Sequence, residues 1–389
     1  MQFDVRQAAI VVVPRRFILE YFMENKINVG VLGATGMVGQ RYIHLLENHP
    51  WFHVTFVAAS PRSAGKSYKD ATAGRWLIGA DIPAGVTELT VYDASDVKNA
   101  VGKCKFVFSA LEMDKDAIKA LEASYAAAGI PVVSNASANR WTPDVPMLIP
   151  EINAAHLDVI AAQKKHNGWE NGFVAVKPNC SLQTYMMPLF ALQQAGFPVK
   201  RMIVTTLQAT SGAGYPGVPS FDMIDNIVPY IGGEEEKTEK ECLKILGSVK
   251  NGAIENAALP LVSATCTRVP VVDGHTACVS MEFNLPDSKK PSLEEIERVW
   301  TSFTSLPQEL KLPSAPEHPI VVRHEDNRPQ PRRDRETEKG MACVIGRLRK
   351  CSVFDVKFVA LSHNTKRGAA LGGILNAELL KAKGFFDNL

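Results

Sequence analysis

The sequence predicts an α/β fold in two parts, a doubly wound parallel sheet followed by an α+β region with a mainly antiparallel sheet. Apolar strands and amphipathic helices alternate between residues 27 and 134, as they do in doubly wound sheets. After about residue 178 the predicted strands alternate apolar and polar residues instead. The length of 389 residues is sufficient for two separate hydrophobic cores, so we expect two domains.

The first half supplies the strands and helices of the parallel sheet. Short apolar runs predict buried strands, and the helix after the first strand has its apolar residues at a spacing that places them on one face. The predicted strands are 27–32, 53–59, 106–108 and 131–134, and the predicted helices are 37–46 and 114–128. A further apolar run, 173–176, comes just before residue 178, after which the predicted strands alternate apolar and polar residues.

The second half contains alternating strands and two helices. The predicted strands are 200–208, 277–284 and 351–361, and the predicted helices are 182–195 and 368–381. The last helix is expected to pack back on the first domain. Segment 211–219 is rich in Gly and Pro. Segment 327–339 is charged and is expected to be a solvated loop or to reach a subunit interface.

The predicted domain boundaries follow from the change near residue 178, where continuous apolar strands give way to alternating ones. Residues 23–177, completed by the C-terminal residues 364–389, form the first domain, and residues 178–363 form the second. Residues 1–22 contain a short apolar stretch and two adjacent arginines, and so admit a targeting peptide, but Asp4 and Glu20 weaken a mitochondrial interpretation. We expect Met23 to be the functional start, and residues 1–22 to be a poorly ordered extension or a start-site artefact.

The composition excludes several classes of function. The 43 basic and 41 acidic residues give a net charge of +2, which argues against charge-driven binding to nucleic acid or to a membrane surface. No apolar run reaches the roughly 18 residues of a membrane helix. The seven cysteines include no C-x-x-C pair, which favours reduced thiols in a cytoplasmic protein. No cluster has the spacing of metal ligands, so we expect no metal.

The loop after the first strand carries a glycine pattern that is typical of dinucleotide binding. Its residues are Gly33, Ala34, Thr35, Gly36, Met37, Val38 and Gly39. Glycines allow the backbone to turn tightly and to approach a pyrophosphate, which then meets the positive end of the helix. A bare structural turn is the alternative. The order of strand, turn and helix favours a Rossmann-type dinucleotide-binding domain.

The end of the second strand distinguishes NADP from NAD. An acidic residue there would bind the free ribose 2′-hydroxyl of NAD. The sequence has instead Ser60, Arg62, Ser63 and Lys66. Because arginine donates charge-assisted hydrogen bonds to phosphate oxygens, this loop favours NADP, with a solvated basic loop as the alternative.

A thiol stands at the tip of a predicted strand. Cys180 follows the apolar run 173–176, and the residues after it predict a helix whose positive end would favour the thiolate. His275 is the best-placed general base, because it follows an Asp-Gly turn and precedes a strand, and Arg268 lies shortly before it. Each residue alone is more often structural. Together with a nucleotide site, they predict covalent redox chemistry on an acyl group.

These motifs together resemble the aspartate-semialdehyde dehydrogenase family, in particular its fungal and archaeal branch. The matching segments are 33–39, 177–181, 208–214, 232–237 and 268–275, and the match spans residue 27 to the C-terminus. The resemblance implies the NADPH-dependent reductive dephosphorylation of aspartyl 4-phosphate to aspartate 4-semialdehyde. That reaction belongs to the biosynthesis of threonine, methionine, isoleucine and lysine.

The resemblance also implies a role for each matching residue. Cys180 is the nucleophile, His275 the acid/base catalyst, and Gln208 the residue that orients the thioacyl intermediate. Arg268 binds the substrate α-carboxylate, a role that suits a bidentate guanidinium. The other implied substrate contacts are Arg140 and Asn179 near the phosphate, Glu234 near the ammonium group and Lys237 near the phosphate. For Glu234 and Lys237, a solvated charged helix start is the alternative.

Further cofactor contacts are predicted outside the glycine turn and the basic loop. They are Ser109, Ala110 and Leu111 after the 106–108 strand, and Ser211 and Gly212. The resemblance also implies that Asn376 on the last helix lies near the nicotinamide. The resemblance implies a homodimer or homotetramer, in which the second domain is the catalytic and dimerisation domain and its sheet forms the contact.

Other functions stay open at this point. Malonyl-CoA reductase and N-acetylglutamyl-phosphate reductase share the glycine turn, the cysteine and the histidine, and would differ chiefly around Arg268, Glu234 and Lys237. A non-catalytic NADP-binding regulator is the alternative from another class. Slow reaction of Cys180 with a thiol reagent, without protection by substrate, would support the regulator.

Overall fold

The first half of the chain forms a six-stranded parallel sheet. A computed structural model describes residues 26–389, so the predictions for residues 1–22 and Met23 lie outside the described residues. The strands are β1 Ile27–Leu32, β2 Phe52–Ala59, β3 Val91–Asp93, β4 Phe106–Ser109, β5 Val132–Ser134 and β6 Val174–Val176. Their order is β3-β2-β1-β4-β5-β6, which reverses beside β1 and opens a crevice at the carboxyl ends of β1 and β4.

Helices connect these parallel strands. They are α1 Met37–Leu46, α2 Tyr68–Thr72, α3 Ala84–Thr87, α4 Lys115–Ala127, α5 Pro150–Asn153 and α6 Val159–Asn167, with 3-10 turns at Val97–Asn99 and Ala154–Asp158. The Asp114 side chain starts α4 by accepting hydrogen bonds from the backbone N–H groups of Asp116 at 2.9 Å and Ala117 at 3.2 Å. Such a cap stabilises the first turn, where backbone donors have no partner within the helix.

The second half forms a mixed six-stranded sheet in the order β10-β7-β11-β14-β13-β12. The strands of this half are β7 Val199–Gln208, β8 Ser248–Lys250, β9 Ala253–Glu255, β10 Leu261–Arg268, β11 His275–Phe283, β12 Ile320–Arg323, β13 Cys343–Lys350 and β14 Val356–Ser362. The three central pairings are antiparallel and the two outer ones are parallel. The predicted fold class, including the mainly antiparallel second sheet, is therefore confirmed. Strands β8 and β9 form a separate pair.

The second half also contains helices and 3-10 turns. They are α7 Met186–Gln194, α8 Ser220–Met223, α9 Glu234–Ile245, α10 Leu293–Thr301, α11 Leu306–Glu309, α12 Pro331–Asp334 and α13 Ala370–Ala382, with 3-10 turns at Ser181–Thr184, Thr210–Ala213, Asp287–Lys289 and Thr337–Gly340. The buried Trp300 joins α10 to α7, because its indole N–H donates to the Pro188 carbonyl at 2.9 Å.

The last helix, α13, packs on the first sheet as expected. Its apolar residues Ile374, Leu375 and Leu379 belong to the same core as β1 and α1. A Cβ at Gly373 would lie 1.9 Å from the hydroxyl oxygen of Tyr42 in α1, so this close approach requires glycine. The helix thus returns the end of the chain to the first half. The domain boundaries at 23–177, 178–363 and 364–389 stay predictions.

Two predicted elements have different bounds in the structure. The predicted helix 182–195 is a 3-10 turn, Ser181–Thr184, and then α7, because Tyr185 has φ −132° and interrupts the helical backbone. The predicted strand 351–361 begins only at Val356. Cys351 lies in the turn between β13 and β14, where its backbone N–H donates to the Asp355 carbonyl at 3.1 Å.

The charged segment 327–339 is not a solvated loop. It contains α12, and Asp334 within it is fully buried. The Asp334 carboxylate accepts hydrogen bonds from Arg328 and Arg323, which compensates the burial of its charge. The segment therefore packs on the second sheet. In residues 26–389, no helix is long and apolar enough to cross a membrane.

Candidate active site

The two sheets bring their polar ends together at one site. Cys180 follows β6 by a short loop, at the carboxyl edge of the first sheet. Gln208 ends β7 and Arg268 ends β10, and these two residues are directly opposite in the parallel pairing of β7 and β10. His275 begins β11, which runs antiparallel to β7, so it starts at the same edge. Topology therefore gathers four residues that are far apart in sequence.

Cys180 and His275 are in direct contact. The distance from Cys180 Sγ to His275 Nε2 is 3.2 Å. On the other side of the ring, the Ala209 backbone N–H donates to His275 Nδ1 at 3.0 Å. His275 is fully buried and Cys180 is partly buried. The predicted pair of thiol and imidazole is therefore brought together.

The electrostatics of this pair differ from the expectation of a helix-stabilised thiolate. Burial, and then the Glu234 carboxylate, raise the pKa of the Cys180 thiol to about 11. Lys177, Arg140 and Arg268 oppose this effect but do not overcome it. Only a four-residue 3-10 turn follows Cys180, too short to supply the dipole of a full helix. Burial, followed by Arg268 and His363, lowers the pKa of His275 to about 3. Burial therefore disfavours both the thiolate and the imidazolium in the unliganded site.

Arg268 lies beside the pair, under the loop that follows β7. Its Nη1 donates to the Ala209 carbonyl at 2.8 Å, and the residue is 6% exposed. A Cβ at Gly212 would lie 2.7 Å from Arg268 Nη1 and 3.0 Å from His275 Cε1. Glycine at 212 therefore keeps the loop close to both functional side chains.

Glu234 is a shared acceptor behind Cys180. Its carboxylate accepts hydrogen bonds from Asn179 Nδ2 at 2.9 and 3.0 Å, from Gln208 Nε2 at 3.2 Å and from Lys237 Nζ at 2.8 Å. Burial raises the pKa of Glu234, but the Lys237 ammonium and these hydrogen bonds outweigh burial and lower it overall. The network places Asn179, Gln208 and Lys237 around one ionised carboxylate.

Of the three glutamates in the first turn of α9, only Glu234 points into the site. Glu235 accepts a hydrogen bond from the Cys266 backbone N–H at 3.1 Å, and Glu236 pairs with the exposed Lys240 at 2.6 Å. Glu234 alone reaches Asn179 and Gln208. The structure thus brings together Glu234 and Lys237 in the register that the sequence suggested.

Arg140 is held in place by an acidic residue that the sequence reasoning missed. Its Nη1 donates to Glu241 Oε1 at 3.0 Å, and its Nε donates to the Lys177 carbonyl at 2.9 Å. The other oxygen of Glu241 accepts the Asn179 backbone N–H at 2.6 Å. Glu241 lies two turns after Glu234 on α9, and this spacing on one helix face was the signal available in the sequence.

Glu241→Gln is expected to destabilise the protein by about 3 kcal/mol, because it removes the charge that compensates a buried guanidinium. The new amide also presents a donor where two donors already point. The free energy of unfolding, measured by denaturant titration, checks this expectation. Glu236→Gln is the matched control, since it removes an exposed carboxylate from the same helix and should leave the unfolding curve unchanged. Coincident curves for the two variants would contradict the structural role of Glu241.

A cavity of about 690 Å³ lies at the carboxyl edge of the first sheet. The predicted cofactor residues that line it are Gly33, Thr35, Gly36, Met37, Val38, Ser60, Arg62, Ser63, Ala110 and Leu111. Gly33 has φ +73°, and a Cβ there would lie 2.4 Å from the Ala110 carbonyl oxygen. The turn is thus shaped for close backbone approach, and α1 directs its free N–H groups toward it. These features fit a dinucleotide.

Six predicted cofactor residues do not line this cavity: Ser211 and Gly212 line a neighbouring cavity, and four others lie elsewhere. Gly39 instead lets α1 pack on the turn, since a Cβ there would lie 2.2 Å from the Gly33 carbonyl oxygen. Ser109 turns its hydroxyl to the buried Glu122 at 2.8 Å, which leaves Ala110 and Leu111 facing the cavity. Lys66 is exposed beyond the cavity wall. Asn376 is buried within α13, with its Nδ2 3.5 Å from the Leu148 carbonyl oxygen.

A second cavity, of about 260 Å³, joins the first to Cys180. The two cavities share six lining residues, Met37, Val38, Ala110, Leu111, Glu112 and Gly214. The second is also lined by Arg140, Asn179, Cys180, Ser211 and Gly212. A molecule that fills the first cavity therefore extends toward the thiol, and the predicted contacts Ser211 and Gly212 lie at that junction.

Several residues that line the two cavities were not predicted from the sequence. Arg75 and Asp93 line the larger cavity, and Asp93 ends a three-residue strand that is too short to show a period. Asn364 lines the smaller one, where its Nδ2 donates to Ser211 Oγ at 2.8 Å and its Oδ1 accepts the Gly274 backbone N–H at 2.8 Å. Within the described range 26–389, no group of three or more His, Cys, Asp or Glu side chains is placed to hold a metal ion.

The known proteins to which this chain is similar are semialdehyde dehydrogenases. The family described as "semialdehyde dehydrogenase, NAD binding domain" matches residues 28–160, and "semialdehyde dehydrogenase, dimerisation domain" matches residues 189–367. Curated aspartate-semialdehyde dehydrogenases match over almost their whole length. The protein of the archaeon Methanothermobacter thermautotrophicus is 47% identical, with 91% of this chain and 99% of that protein covered. The protein of the fungus Cryptococcus neoformans is 45% identical, with 93% and 99% covered.

A solved structure extends the similarity to the fold. The crystal structure of aspartate-semialdehyde dehydrogenase with NADP from Candida albicans superposes with a TM-score of 0.82. It is 41% identical to this chain, with 92% of this chain and 99% of that chain covered.

Proposed function

Because this chain belongs to the aspartate-semialdehyde dehydrogenase family, as its motifs predicted, we propose that Cys180 is the nucleophile of the family's reaction. That reaction is the NADPH-dependent reductive dephosphorylation of L-aspartyl 4-phosphate to L-aspartate 4-semialdehyde, in the biosynthesis of threonine, methionine, isoleucine and lysine. The observation that carries the assignment is the 3.2 Å contact between Cys180 Sγ and His275 Nε2 at the mouth of the nucleotide cavity.

The acyl group is transferred to the chain's own sulfur. Cys180 attacks the acyl phosphate carbonyl, the C–O bond to phosphate breaks, and a thioester on Cys180 remains. A thiol suits this step, because a thioester accepts hydride more readily than an ester and thiolate is a good leaving group. His275 handles the proton near the reacting atoms. When bound, NADPH supplies the hydride that reduces the thioester to the aldehyde.

The surrounding residues are proposed to bind the two ends of the substrate. Arg268 binds the α-carboxylate through its planar guanidinium, whose position beside His275 is fixed by the Ala209 carbonyl. Glu234 accepts hydrogen bonds from the substrate ammonium, and Lys237 donates to the substrate phosphate. Arg140 and Asn179 line the cavity next to Cys180 and are proposed to stabilise the departing phosphate. Gln208 donates from its Nε2 to Glu234 at 3.2 Å and to Thr206 Oγ1 at 3.3 Å, which leaves its Oε1 for orienting the thioacyl group.

A substrate panel read at the NADPH absorbance band tests the function. Purified protein should oxidise NADPH with aspartyl 4-phosphate, and should reduce NADP when given aspartate 4-semialdehyde and phosphate. Malonyl-CoA and N-acetylglutamyl phosphate should give rates lower by several orders of magnitude, because their chains do not present an α-ammonium to Glu234. A comparable rate with either compound would reject the assignment of substrate.

Arg62 is proposed to bind the 2′-phosphate of NADP, with Ser60 and Ser63 beside it in the cavity wall. Arg62→Ser is expected to lower kcat/KM for NADPH by roughly tenfold to a hundredfold, the effect of losing a charge-assisted hydrogen bond of about 1.5–3 kcal/mol. The value for NADH should change little. Lys69→Ser removes an exposed charge from the nearby helix α2 and is the matched control. Equal losses with both cofactors would place the 2′-phosphate elsewhere, and NADPH fluorescence titration gives the binding constant independently.

The second half is proposed to form the subunit contact of a homodimer, or of a homotetramer made from two such dimers. The segment after the Ser211 loop exposes Phe221 at 91%, Ile224 at 67% and Tyr230 at 66%. Exposed apolar side chains that cluster in this way indicate an interface. Sedimentation velocity should therefore show no monomer at micromolar concentration, and a concentration-independent monomer would contradict the proposal.

Two further assignments are proposed from the same family membership. Residues 23–177 with 364–389 form the cofactor domain, and residues 178–363 form the catalytic and dimerisation domain, which the separate sheets support. A cytoplasmic location is supported by the seven free cysteines, a number that suits a reducing compartment.

A further inference from the structure

We propose that Lys177 carries a buried positive charge whose counter-ion is the Cys180 thiolate, so that this lysine stabilises the nucleophile once the thiol has lost its proton. The inference rests on the proposed function, in which Cys180 is the nucleophile, and adds one residue to it. Lys177 acts through its charge on Cys180 and not by contact with the substrate.

Lys177 is a buried lysine without a carboxylate partner. It is 2% exposed and follows β6 directly. A Cβ at Gly372 in α13 would lie 2.8 Å from Lys177 Cε, so glycine there gives the side chain room. In the part of the chain that the structure describes, its Nζ has one hydrogen-bond acceptor, the Pro178 carbonyl oxygen at 3.1 Å, and no ion pair. Because a buried charge is costly unless an opposite charge compensates it, Lys177 favours a negative charge that forms nearby.

The two neighbouring arginines are already paired with carboxylates. Arg140 donates to Glu241 at 3.0 Å. Arg367 is also 2% exposed, and its two Nη atoms donate to the two oxygens of Glu151 at 2.7 and 2.9 Å. Lys177 is therefore the cation of this cluster that is left over, and an ionised thiol would neutralise it.

A second buried lysine shows the contacts of a purely structural role. Lys244 in α9 is 2% exposed, and its Nζ donates to the carbonyl oxygens of Arg140 at 2.7 Å, Thr142 at 2.8 Å and Val145 at 3.0 Å. All the donors of that ammonium group are used, and they hold the backbone of one loop. Lys177 has a single acceptor, so hydrogen bonding does not account for its burial in the same way.

The fold holds Lys177 next to the nucleophile. Two residues separate Lys177 from Cys180 in the short loop after β6. Arg140 Nε donates to the Lys177 carbonyl at 2.9 Å, and Glu241 accepts the Asn179 backbone N–H at 2.6 Å. The loop is thus fixed on both sides of Pro178, and the lysine cannot move away from the thiol without breaking these contacts.

Charge interactions connect the two groups. Burial, with Arg140 and Arg367, lowers the pKa of Lys177 to about 7, and Cys180 is the largest opposing charge, followed by Glu241. Lys177 is in turn the first of the cations that lower the pKa of the Cys180 thiol. When two such sites interact, ionisation of one favours the charged form of the other. Formation of the thiolate therefore raises the pKa of Lys177, and the ammonium form is present together with the thiolate.

The other groups that face the thiol stay the same when Lys177 is replaced. Glu234 raises the pKa of the thiol, and Arg140 and Arg268 lower it. His275 Nε2 contacts the sulfur at 3.2 Å. A difference between the wild type and a Lys177 variant therefore reports the charge of the lysine.

Lys177→Met removes the charge and keeps a side chain of similar length. We expect iodoacetamide to alkylate Cys180 about tenfold more slowly at neutral pH, equivalent to about one unit in the thiol pKa. The alkylation rate against pH measures this, with the labelled peptide identified by mass spectrometry. The measurement needs neither substrate nor cofactor, so its failure is distinct from failure of the proposed function, which the substrate panel reports.

Lys164→Met is the matched control. Lys164 is partly buried, with its Nζ 5.7 Å from the centre of the Phe173 ring, which lies just before β6 and so at the opposite end of that strand from Lys177. The substitution is the same, but the charge is removed away from the thiol. Its alkylation profile should match that of the wild type.

A charged reagent separates an effect of charge from an effect of shape. Iodoacetate is negative and iodoacetamide is neutral, so the ratio of their rates with Cys180 reports the local potential. Lys177→Met should lower this ratio relative to the wild type and to Lys164→Met. It should also unfold at an equal or higher denaturant concentration, because an unpaired buried charge has been removed. A lower midpoint with an unchanged ratio would show a structural role and would overturn the inference.

Lys177→Gln covers the case in which the methionine variant does not fold, because its amide can donate to the Pro178 carbonyl. A slower profile with a lowered reagent ratio in either variant supports the inference. A folded variant whose profile matches the wild type, or whose reagent ratio is unchanged, would overturn it. If neither variant folds, as judged by circular dichroism, Lys177 is required for structure and the inference fails as well.

Discussion

Cys180→Ala is expected to lower turnover by at least about four orders of magnitude, because no other group can form the covalent acyl intermediate. The variant should still bind NADPH with unchanged affinity, since Cys180 lies at the end of the smaller cavity and not among the residues that line the larger one. Steady-state assays with aspartyl 4-phosphate and fluorescence titration with NADPH give the two values separately. Mass spectrometry of the unmodified protein should also show the acyl group on the Cys180 peptide when NADPH is withheld.

A second cysteine variant controls for loss of a thiol as such. Cys351 lies in the turn between β13 and β14, on a part of the second sheet away from the site. Cys351→Ala is expected to keep the normal rate. Residual activity of Cys180→Ala above about one per cent of normal would contradict the covalent scheme.

His275→Ala is expected to lower turnover by roughly two to four orders of magnitude, the usual range for a positioned proton-handling group. His275→Gln tests which kind of group it is. A glutamine amide donates a hydrogen bond near the position of Nε2 but cannot act as a base. Because His275 is proposed to handle the proton, the glutamine variant should be about as slow as the alanine variant, and a glutamine variant more than about tenfold faster would indicate that hydrogen-bond donation is sufficient.

The pH profile distinguishes the two roles further. A general base with an ordinary histidine pKa would make the rate fall as pH drops below about 6.5. The lowered pKa of His275, about 3, predicts no such loss above about pH 5. An inflection near pH 6.5 that disappears in His275→Gln would contradict the lowered pKa of His275.

The sequence predicted the first sheet closely because its signals are local. Strand β1 and helix α1 begin and end where the apolar runs and the glycine turn indicated. The edge strands β3 and β12 have three and four residues, too few to show a period. In the charged segment 327–339, composition indicated a solvated loop, yet two arginines allow Asp334 to be buried within it. Composition does not reveal such compensation, because the partners meet only in the folded chain.

The site could be predicted as a set of side chains but not as a set of contacts. Cys180, His275 and Arg268 each stood in a recognisable motif. The Ala209 donor could not be found in this way, because every residue except proline has a backbone N–H. Asn376 was predicted as a cofactor contact from the family resemblance, and its side chain is buried with Nδ2 3.5 Å from the Leu148 carbonyl oxygen. Motifs thus locate reactive groups, whereas the contacts that set their protonation states depend on topology.

The catalytic pair has one member from each sheet. Cys180 follows the last strand of the parallel sheet, and His275 begins a central strand of the other. Their separation is therefore a measure of the angle between the two halves of the molecule. One buried core contains residues of both sheets, among them Val107 of β4 and Val279 of β11, so packing between the sheets holds sulfur and nitrogen at this distance. A substitution that loosens this shared core is therefore expected to slow the reaction while leaving every functional side chain intact.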